Sequence, residues 1–225
     1  MCGRFTQQRP TAELAELFQA EPLVDDPGGH YNLAPTDEAA VVVERGDRRA
    51  VSAYRWGLIP SWADDPRIAS RLFNARAETV ATSGMFRDSF RRRRCIVPVD
   101  GFYEWRRDAG RRVPFLVTRA DGRPLALAGL WSGWRDPVAE LTIRTFTIVT
   151  TTPNELMAGI HDRMPVVLAP EAWDLWLDPE VGDVGELHGL LRPAPSEPLR
   201  LVEVRPLVNN VRNDGPELIV PAGEA

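Results

Sequence analysis

Short apolar runs recur along the chain and indicate a protein built mainly of β-strands. Turn-forming pairs such as Asp121-Gly122 and Gly46-Asp47 separate several of these runs. The predicted strands are Val41–Glu44, Val51–Trp56, Cys95–Val99, Phe115–Arg119, Leu125–Trp131 and Ile143–Thr150.

Helical spacing of apolar residues is found at fewer places. Leu14, Leu17 and Phe18 share one face of a helix over residues 11–18, with Thr11 as its expected N-cap. Three more short helices are predicted at Met85–Arg92, after the capping box Thr152-Pro-Asn-Glu155, and at Glu171–Leu177.

The strands cluster without alternating with helices, which predicts an α+β fold. We expect one domain over residues 1–225, built on a mainly antiparallel, barrel-like β-sheet with flanking short helices. The Pro-rich stretch Leu191–Pro198 is interpreted as a surface loop within this domain, not as a linker.

The composition of the 225 residues is that of a soluble globular protein, with 44% hydrophobic and 26% charged residues. No apolar run approaches the roughly 18 residues that a membrane span needs. The N-terminal segment has no apolar region of the secretory type. We therefore expect a cytoplasmic protein without membrane contact.

All 27 basic residues are arginines, so the chain has no lysine and no ε-amine for imine chemistry. Their distribution is uneven. Residues 44–112 hold 16 arginines against nine carboxylates, whereas the segments before and after are acidic. This basic middle segment permits a local anion-binding face, although the net charge of −5 does not by itself indicate a nucleic-acid binder.

Cys2 follows the initiator methionine, and its small size permits removal of Met1. The exposed residue would carry an amine and a thiol on adjacent carbons. An α-amine has a reference pKa of about 7.7–8.0, against about 10.4 for lysine, so a useful fraction is neutral near pH 7.5. With an aldehyde, such a residue forms an imine and then a five-membered thiazolidine. The alternative is an ordinary cysteine.

The sequence predicts no metal or cofactor. The three histidines, His30, His161 and His188, lack companions at metal-ligand spacing. Cys95 lies in an apolar run and is expected to be a buried thiol, and two cysteines in such a chain do not suggest a disulfide.

Four segments place polar residues in apolar surroundings, and each is a candidate for site chemistry. In the segment Asp100–Trp105 a carboxylate lies between aromatic residues, where loss of hydration would raise its pKa and suit it to acid–base catalysis. The four segments are Phe73-Asn-Ala-Arg-Ala-Glu-Thr79, Asp100-Gly-Phe-Tyr-Glu-Trp105, Gly159-Ile-His-Asp-Arg-Met-Pro165 and Val208-Asn-Asn-Val-Arg-Asn-Asp-Gly215.

Taken together and in order, several motifs resemble the SRAP family, the SOS response-associated peptidases and abasic-site processing proteins. The similarity runs from residue 2 to about residue 218 and covers nearly the whole chain. The motifs are Met1-Cys-Gly-Arg-Phe5, Tyr31-Asn-Leu-Ala-Pro35, Trp56-Gly-Leu-Ile-Pro60, Asn74-Ala-Arg-Ala-Glu-Thr79, Asp100-Gly-Phe-Tyr-Glu-Trp105 and His161-Asp-Arg-Met-Pro165.

This resemblance implies a protein that crosslinks itself to abasic sites in single-stranded DNA and shields the lesion in the DNA damage response. It implies that Cys2 is the nucleophile, that Asn74 orients the abasic sugar, and that Glu104 and His161 transfer protons. The protein would then be associated with the nucleoid when bound to DNA.

The resemblance also implies a DNA-binding surface that combines basic contacts with stacking. A departure from the family pattern occurs at Gly84, where some relatives carry a basic residue; Arg87 or the 91–94 arginine run could compensate for the lost phosphate contact. The implied DNA-binding residues are Arg4, Asn32, Pro35, Trp62, Arg76 and Arg163.

Two alternatives stay open from the sequence. One is an N-terminal-nucleophile peptidase, whose cleavage includes self-removal of Met1. The other is a single-strand binding module without chemistry. The crosslinker itself is expected to be a self-processing, single-turnover enzyme, and a lyase-type side activity is compatible with it. A monomer is the default expectation. The sequence does not decide whether Met1 removal is autocatalytic, which DNA sequence or junction is preferred, whether the crosslink reverses, or which partner recruits the protein.

Overall fold

The computed structural model describes residues 2–26, 28–46 and 48–223. Strands dominate this part of the chain, and the α-helices are short. The strands are β1 (Phe5–Gln7), β2 (Glu21–Pro22), β3 (His30–Leu33), β4 (Glu38–Arg45), β5 (Arg48–Trp56), β6 (Asn74–Arg76), β7 (Arg94–Val99), β8 (Gly101–Asp108), β9 (Arg111–Arg119), β10 (Leu125–Arg135), β11 (Thr142–Thr151), β12 (Met164–Pro165) and β13 (Leu199–Glu203). The α-helices are α1 (Thr11–Phe18), α2 (Arg87–Arg92), α3 (Glu155–Ala158), α4 (Trp173–Leu177) and α5 (Val184–Gly189), and 3-10 turns span Pro66–Arg71, Pro170–Ala172, Pro206–Asn209 and Pro216–Ile219.

Five strands close into a barrel in the order β11, β10, β7, β4, β5 and back to β11. The first four pairings are antiparallel, whereas β5 and β11 close the ring in parallel through Thr145 opposite Arg55 and Phe146 opposite Trp56. The short strand β6 also runs parallel to β11, and β12 runs antiparallel to it.

A second sheet of five strands has the order β13, β9, β8, β1, β3, and its pairings are antiparallel. Strand β1 lies between β8 and β3 in this sheet. Residues Phe5 and Thr6 are therefore held next to the strand that carries Glu104.

The sequence-based prediction of an α+β fold with a mainly antiparallel, barrel-like sheet and short flanking helices is confirmed. All six predicted strands lie within observed strands, and the 191–198 stretch is irregular as expected. The Asp121-Gly122 turn connects β9 and β10, whereas Asp47 lies outside the described residues. No helix in the described ranges has the length and apolar character needed to cross a membrane.

Two predicted helix caps are wrong. Thr11 is the first residue of α1 and is buried, while Pro10 is the N-cap and its carbonyl accepts from the N–H groups of Glu13 and Leu14. At α3 the cap is Asn154, whose Oδ1 accepts from the N–H of Met157 at 2.9 Å. An asparagine one residue before the first helical turn competes effectively with a threonine for this role.

Two predicted helix boundaries also shift. The helix expected at Met85–Arg92 begins at Arg87, and the one expected at Glu171–Leu177 is a 3-10 turn followed by α4. Proline at the start of that turn favours a tight first turn and explains the division.

The apolar core lies on both faces of the barrel wall. Along β4, Ala40 and Val42 belong to one buried cluster, whereas Ala39, Val41 and Val43 belong to another. A strand buried on both faces needs apolar residues at successive positions, which is why the sequence shows continuous runs without alternation.

Arg94 is a buried cation without a carboxylate partner in the described part of the chain. It is 2% exposed, and its guanidinium donates to the carbonyls of Phe90 and Arg91 near the end of α2 and of Trp176 and Asp178 near the end of α4. Burial lowers the pKa of Arg94 to about 10. The side chain thus joins two helix ends to the barrel.

Replacing Arg94 with methionine is expected to lower the free energy of unfolding by about 3 kcal/mol, because several buried carbonyls would lose a charged donor. Exposed Arg92, changed to methionine as the matched control, should cost less than about 0.5 kcal/mol. Urea denaturation measures both values. Equal effects of the two variants would contradict a bridging role for Arg94.

Candidate active site and nucleic-acid interface

A cavity of about 1070 Å³ lies between residues of the two sheets. Five arginines and three carboxylates line it, so it is predominantly basic. Its lining residues are Gly3, Arg4, Phe73, Arg76, Glu78, Thr79, Glu104, Trp105, Arg107, Arg112, His161, Asp162, Arg163 and Asn209.

Cys2 is fully buried and directly precedes Gly3 and Arg4, which line this cavity. Its carbonyl accepts a hydrogen bond from Nδ2 of Asn74 at 2.8 Å. Burial, assisted by the negative charge of Glu104, raises the pKa of the Cys2 thiol well above its usual range. The thiol is therefore neutral at physiological pH.

Asn74 is held in place by the barrel. The indole Nε1 of Trp56 donates to the carbonyl of Phe73 at 2.8 Å, and β6 adds to the edge of β11 with Asn74 opposite Ile148. Oδ1 of Asn74 is buried and accepts no hydrogen bond from the residues that the structure describes. The amide thus keeps one unsatisfied acceptor beside Cys2 and next in sequence to Phe73, which lines the cavity.

Glu104 lies on β8, two residues beyond the position where β8 pairs with β1. It is 2% exposed, and burial raises its pKa, while the nearby His161 partly offsets this effect. A carboxyl group with a raised pKa, close to Cys2, is suited to exchange protons near neutral pH.

His161 lies three residues beyond the end of α3, and its N–H donates to the carbonyl of Met157 at 2.9 Å. Its ring Nδ1 lies 3.0 Å from the backbone N–H of Arg163 and 2.8 Å from Oδ1 of Asp162. As an acceptor from Arg163, the neutral ring carries its proton on Nε2; once protonated, the ring pairs with Asp162.

Of the four predicted catalytic residues, Glu104 and His161 line the cavity, whereas Cys2 and Asn74 do not. Cys2 is buried beside the lining residue Gly3, is hydrogen-bonded to Asn74, and lies within reach of the charge of Glu104. Their individual chemical roles stay predictions. The described residues contain no group of three or more histidine, cysteine, aspartate or glutamate side chains that could hold a metal ion.

Three of the six predicted DNA-binding residues also line the cavity: Arg4, Arg76 and Arg163. Arg163 is ion-paired with Glu78 and donates to the carbonyl of Thr150 at 2.6 Å. Its charge is thus partly neutralised, and a phosphate would have to compete with Glu78 for it.

Asn32 does not line the cavity. It is 3% exposed, and its Nδ2 donates to the carbonyls of Asn210 and Asn213, while its Oδ1 accepts from Arg4 at 2.7 Å. Asn32 thereby anchors the 208–213 loop, and this places it beneath the surface that it is predicted to contact.

Pro35 and Trp62 also lie outside the cavity lining. Pro35 is half-buried, and Trp62 is 55% exposed with its ring available to stack on a base. Two of the arginines that could compensate for Gly84 differ in their surroundings. The donors of Arg94 are occupied by carbonyls, so it cannot bind phosphate, whereas Arg87 is exposed beside Asp88. DNA binding by these residues stays a prediction.

Sequence reasoning missed two lining arginines that the β8–β9 hairpin brings to the cavity, Arg107 and Arg112. Trp105 and Asn209 also line it; they belong to two of the candidate segments but were given no role. The available signal was the density of arginines directly after the Asp100–Trp105 motif. It could not be assigned, because an arginine-rich hairpin is usually only a solvated surface.

Comparison with known proteins decides the family. The profile described as SRAP, SOS response associated peptidase, matches residues 1–211. The chain belongs to the SRAP family. SRAP relatives include Abasic site processing protein YoqW of Bacillus subtilis, 39% identical over 97% of this chain and 99% of the relative, and Abasic site processing protein YedK of Escherichia coli, 35% identical over 98% and 100%.

Solved structures share the SRAP fold of this chain. A protein of Bordetella bronchiseptica is 28% identical, with a TM-score of 0.78 over 91% of this chain and 100% of that one. A protein of Bacteroides thetaiotaomicron superposes with a TM-score of 0.88 over 98% and 100%, and at 24% identity it supports the fold alone.

Proposed function

We propose that this SRAP protein processes abasic sites by forming a covalent thiazolidine between Cys2 and the aldehyde of the ring-opened abasic sugar in single-stranded DNA. The observation that carries the proposal is the position of Cys2, held by Asn74 beside Glu104 at a cavity with five arginines. The names of its relatives as abasic site processing proteins support the substrate class.

The reaction requires the free α-amine of Cys2 and therefore removal of Met1. The amine adds to the aldehyde carbon, and the resulting carbinolamine loses water to give an imine. The Cys2 sulfur then adds to the imine carbon while its proton moves to the nitrogen. One water leaves for each adduct, and no oxidant or reductant is consumed.

The neighbouring side chains provide the proton transfers that these steps need. Glu104, with its raised pKa, can take a proton from the attacking amine and return one to the departing hydroxyl. His161, with its proton on Nε2, can donate to an oxygen of the opened sugar.

Asn74 is suited to orient the sugar. Its Nδ2 is bound to the Cys2 carbonyl, which leaves the buried Oδ1 as an acceptor for a sugar hydroxyl. An uncharged amide fixes the reacting geometry without attracting a second cation into the site.

The experiment that tests the proposal mixes the protein with a single-stranded oligonucleotide that contains one abasic site. A denaturation-resistant shift on a gel, absent with the intact oligonucleotide, is the expected result. An intact mass equal to the sum of protein without Met1 and DNA, less one water, identifies the adduct. If the abasic oligonucleotide gives no such shift, the crosslinking proposal is wrong.

The alternative is a peptidase, the activity that the family description names. The intact mass of the purified protein shows whether Met1 is lost. The same measurement on a variant with Glu104 or Cys2 replaced shows whether the protein's own site is needed to remove Met1. Turnover of an added peptide without any DNA adduct would favour this alternative.

Affinity for intact single-stranded DNA is expected to fall as salt rises. For single strands log K decreases with log salt by about 0.7 for each phosphate contacted, and the cavity arginines offer only a few contacts. Fluorescence anisotropy across a salt series measures the slope. An affinity that does not change with salt would indicate contacts made by stacking alone.

A further inference from the structure

Two arginines face each other across the β8–β9 hairpin. Arg107 is directly opposite Arg112 in the antiparallel register, and both line the cavity. Like charges at directly opposed positions destabilise a hairpin. Neither guanidinium has an ion-pair partner among residues 2–26, 28–46 and 48–223. The next opposed pair, Asp108 and Arg111, is by contrast of opposite charge.

Arg112 is held in place by Trp105. Its guanidinium carbon lies 5.4 Å from the centre of the indole, whose Nε1 donates to Oδ1 of Asn209 at 2.6 Å. A guanidinium stacked on a ring keeps its in-plane N–H donors available. Stacking therefore orients Arg112 without neutralising it.

A second arginine, Arg4, also lies against the ring of Trp105. Arg4 lies 5.9 Å from the centre of the same indole. Its pKa is lowered mainly by burial, and the charge of Arg112 contributes to the lowering. An anion bound between these groups would relieve the repulsion.

We propose that Arg107 and Arg112 form a phosphate-binding site of the second sheet, which holds one phosphodiester next to the abasic sugar. This inference rests on the proposed function and deepens it. The barrel side of the cavity provides Arg76 and Arg163, and the β8–β9 hairpin provides the second pair.

The position of the two arginines indicates that the bound anion is a phosphodiester of the strand that carries the lesion. Glu104 and Trp105 belong to the same strand as Arg107, so an anion at the hairpin lies close to the reacting sugar. An abasic nucleotide has no base to stack or pair, and its flanking phosphates are therefore the main groups by which it can be positioned. Two arginines suit one phosphate because each can donate from two nitrogens.

The test compares an R107Q/R112Q double variant with R111Q as the matched control. Arg111 is on the same hairpin and loses the same kind of charge, but it does not line the cavity. The ligand is a single strand carrying a tetrahydrofuran abasic analogue, which cannot crosslink. We expect the double variant to bind about tenfold more weakly and its salt slope to fall by about 0.7, with little change for R111Q.

Location is tested by replacing single phosphodiesters around the analogue with neutral methylphosphonates. Neutralising one linkage next to the analogue should weaken binding by the wild-type protein roughly tenfold. This loss of affinity is about equal to the loss caused by the double substitution. The double variant should lose nothing further at that linkage. This non-additivity is the signature of a direct contact.

Two results would overturn the phosphate site. One is an equal loss of affinity in R107Q/R112Q and R111Q. The other is a double variant whose affinity still falls with neutral linkages at every position. Unchanged melting temperatures establish that the variants are folded. Wild-type crosslinking to a true abasic oligonucleotide is measured in parallel. If the wild type crosslinks and the methylphosphonate pattern fails, only the phosphate site is wrong; if the wild type forms no adduct, the proposed function fails.

Discussion

Changing Cys2 to serine is expected to abolish the heat-stable DNA adduct. Serine is small enough for Met1 still to be removed, so the α-amine remains able to form an imine with the aldehyde. A hydroxyl is a much weaker nucleophile than a thiol and closes the five-membered ring far less favourably. The variant should therefore stop at the reversible imine.

The measurement compares wild type and C2S on an abasic oligonucleotide with and without borohydride. We expect the C2S adduct to survive heating only after reduction, and we expect strand cleavage to increase because an unprotected imine permits elimination. Wild-type adduct should survive heating in both conditions.

A variant with an unprocessable residue before Cys2 provides the control for the amine. The extension converts the Cys2 nitrogen to an amide, and the chain contains no lysine whose side-chain amine could take its place. The added residue carries an α-amine of its own but no thiol beside it, so this variant should form no heat-stable adduct without reduction. A heat-stable adduct from it would mean that the thiol reacts alone, and the thiazolidine mechanism would be wrong.

Changing Glu104 to glutamine is expected to slow crosslinking by about 10²- to 10⁴-fold while DNA affinity changes little. Glutamine keeps the size of the side chain and removes its ability to exchange protons. Rates come from gel time courses at saturating protein, and affinity comes from the uncleavable abasic analogue. Parallel losses in rate and affinity would instead show that Glu104 holds the DNA-binding surface in place.

The stability of E104Q distinguishes a catalytic role from a structural one. Burial raises the folded-state pKa of Glu104, so the folded state disfavours the carboxylate, and this cost grows as pH rises above the ordinary glutamate value. A neutral glutamine avoids the cost. The melting temperature at pH 7 should therefore be unchanged or higher, whereas loss of a stabilising ion pair would lower it.

The sequence by itself determined most of the strand assignment and pointed to the reactive group that we propose. Continuous apolar runs such as Val41–Val43 and Cys95–Val99 specify strands that are buried on both faces, because burial depends mainly on the residues of the run itself. Cysteine after the initiator methionine, in a chain without lysine, defined the available chemistry independently of the fold.

Only the tertiary structure decided which polar residues share the site and which support it. Contacts between residues far apart in sequence produce the features that matter most here. They close β5 onto β11 in parallel and bring Asn74 to Cys2. They also turn Asn32 inward and bury Arg94. Local patterns carry no information on such partners, because the same asparagine or arginine is equally compatible with solvent, a backbone carbonyl or a phosphate. The opposed pair Arg107 and Arg112 became visible only when the hairpin register placed them side by side.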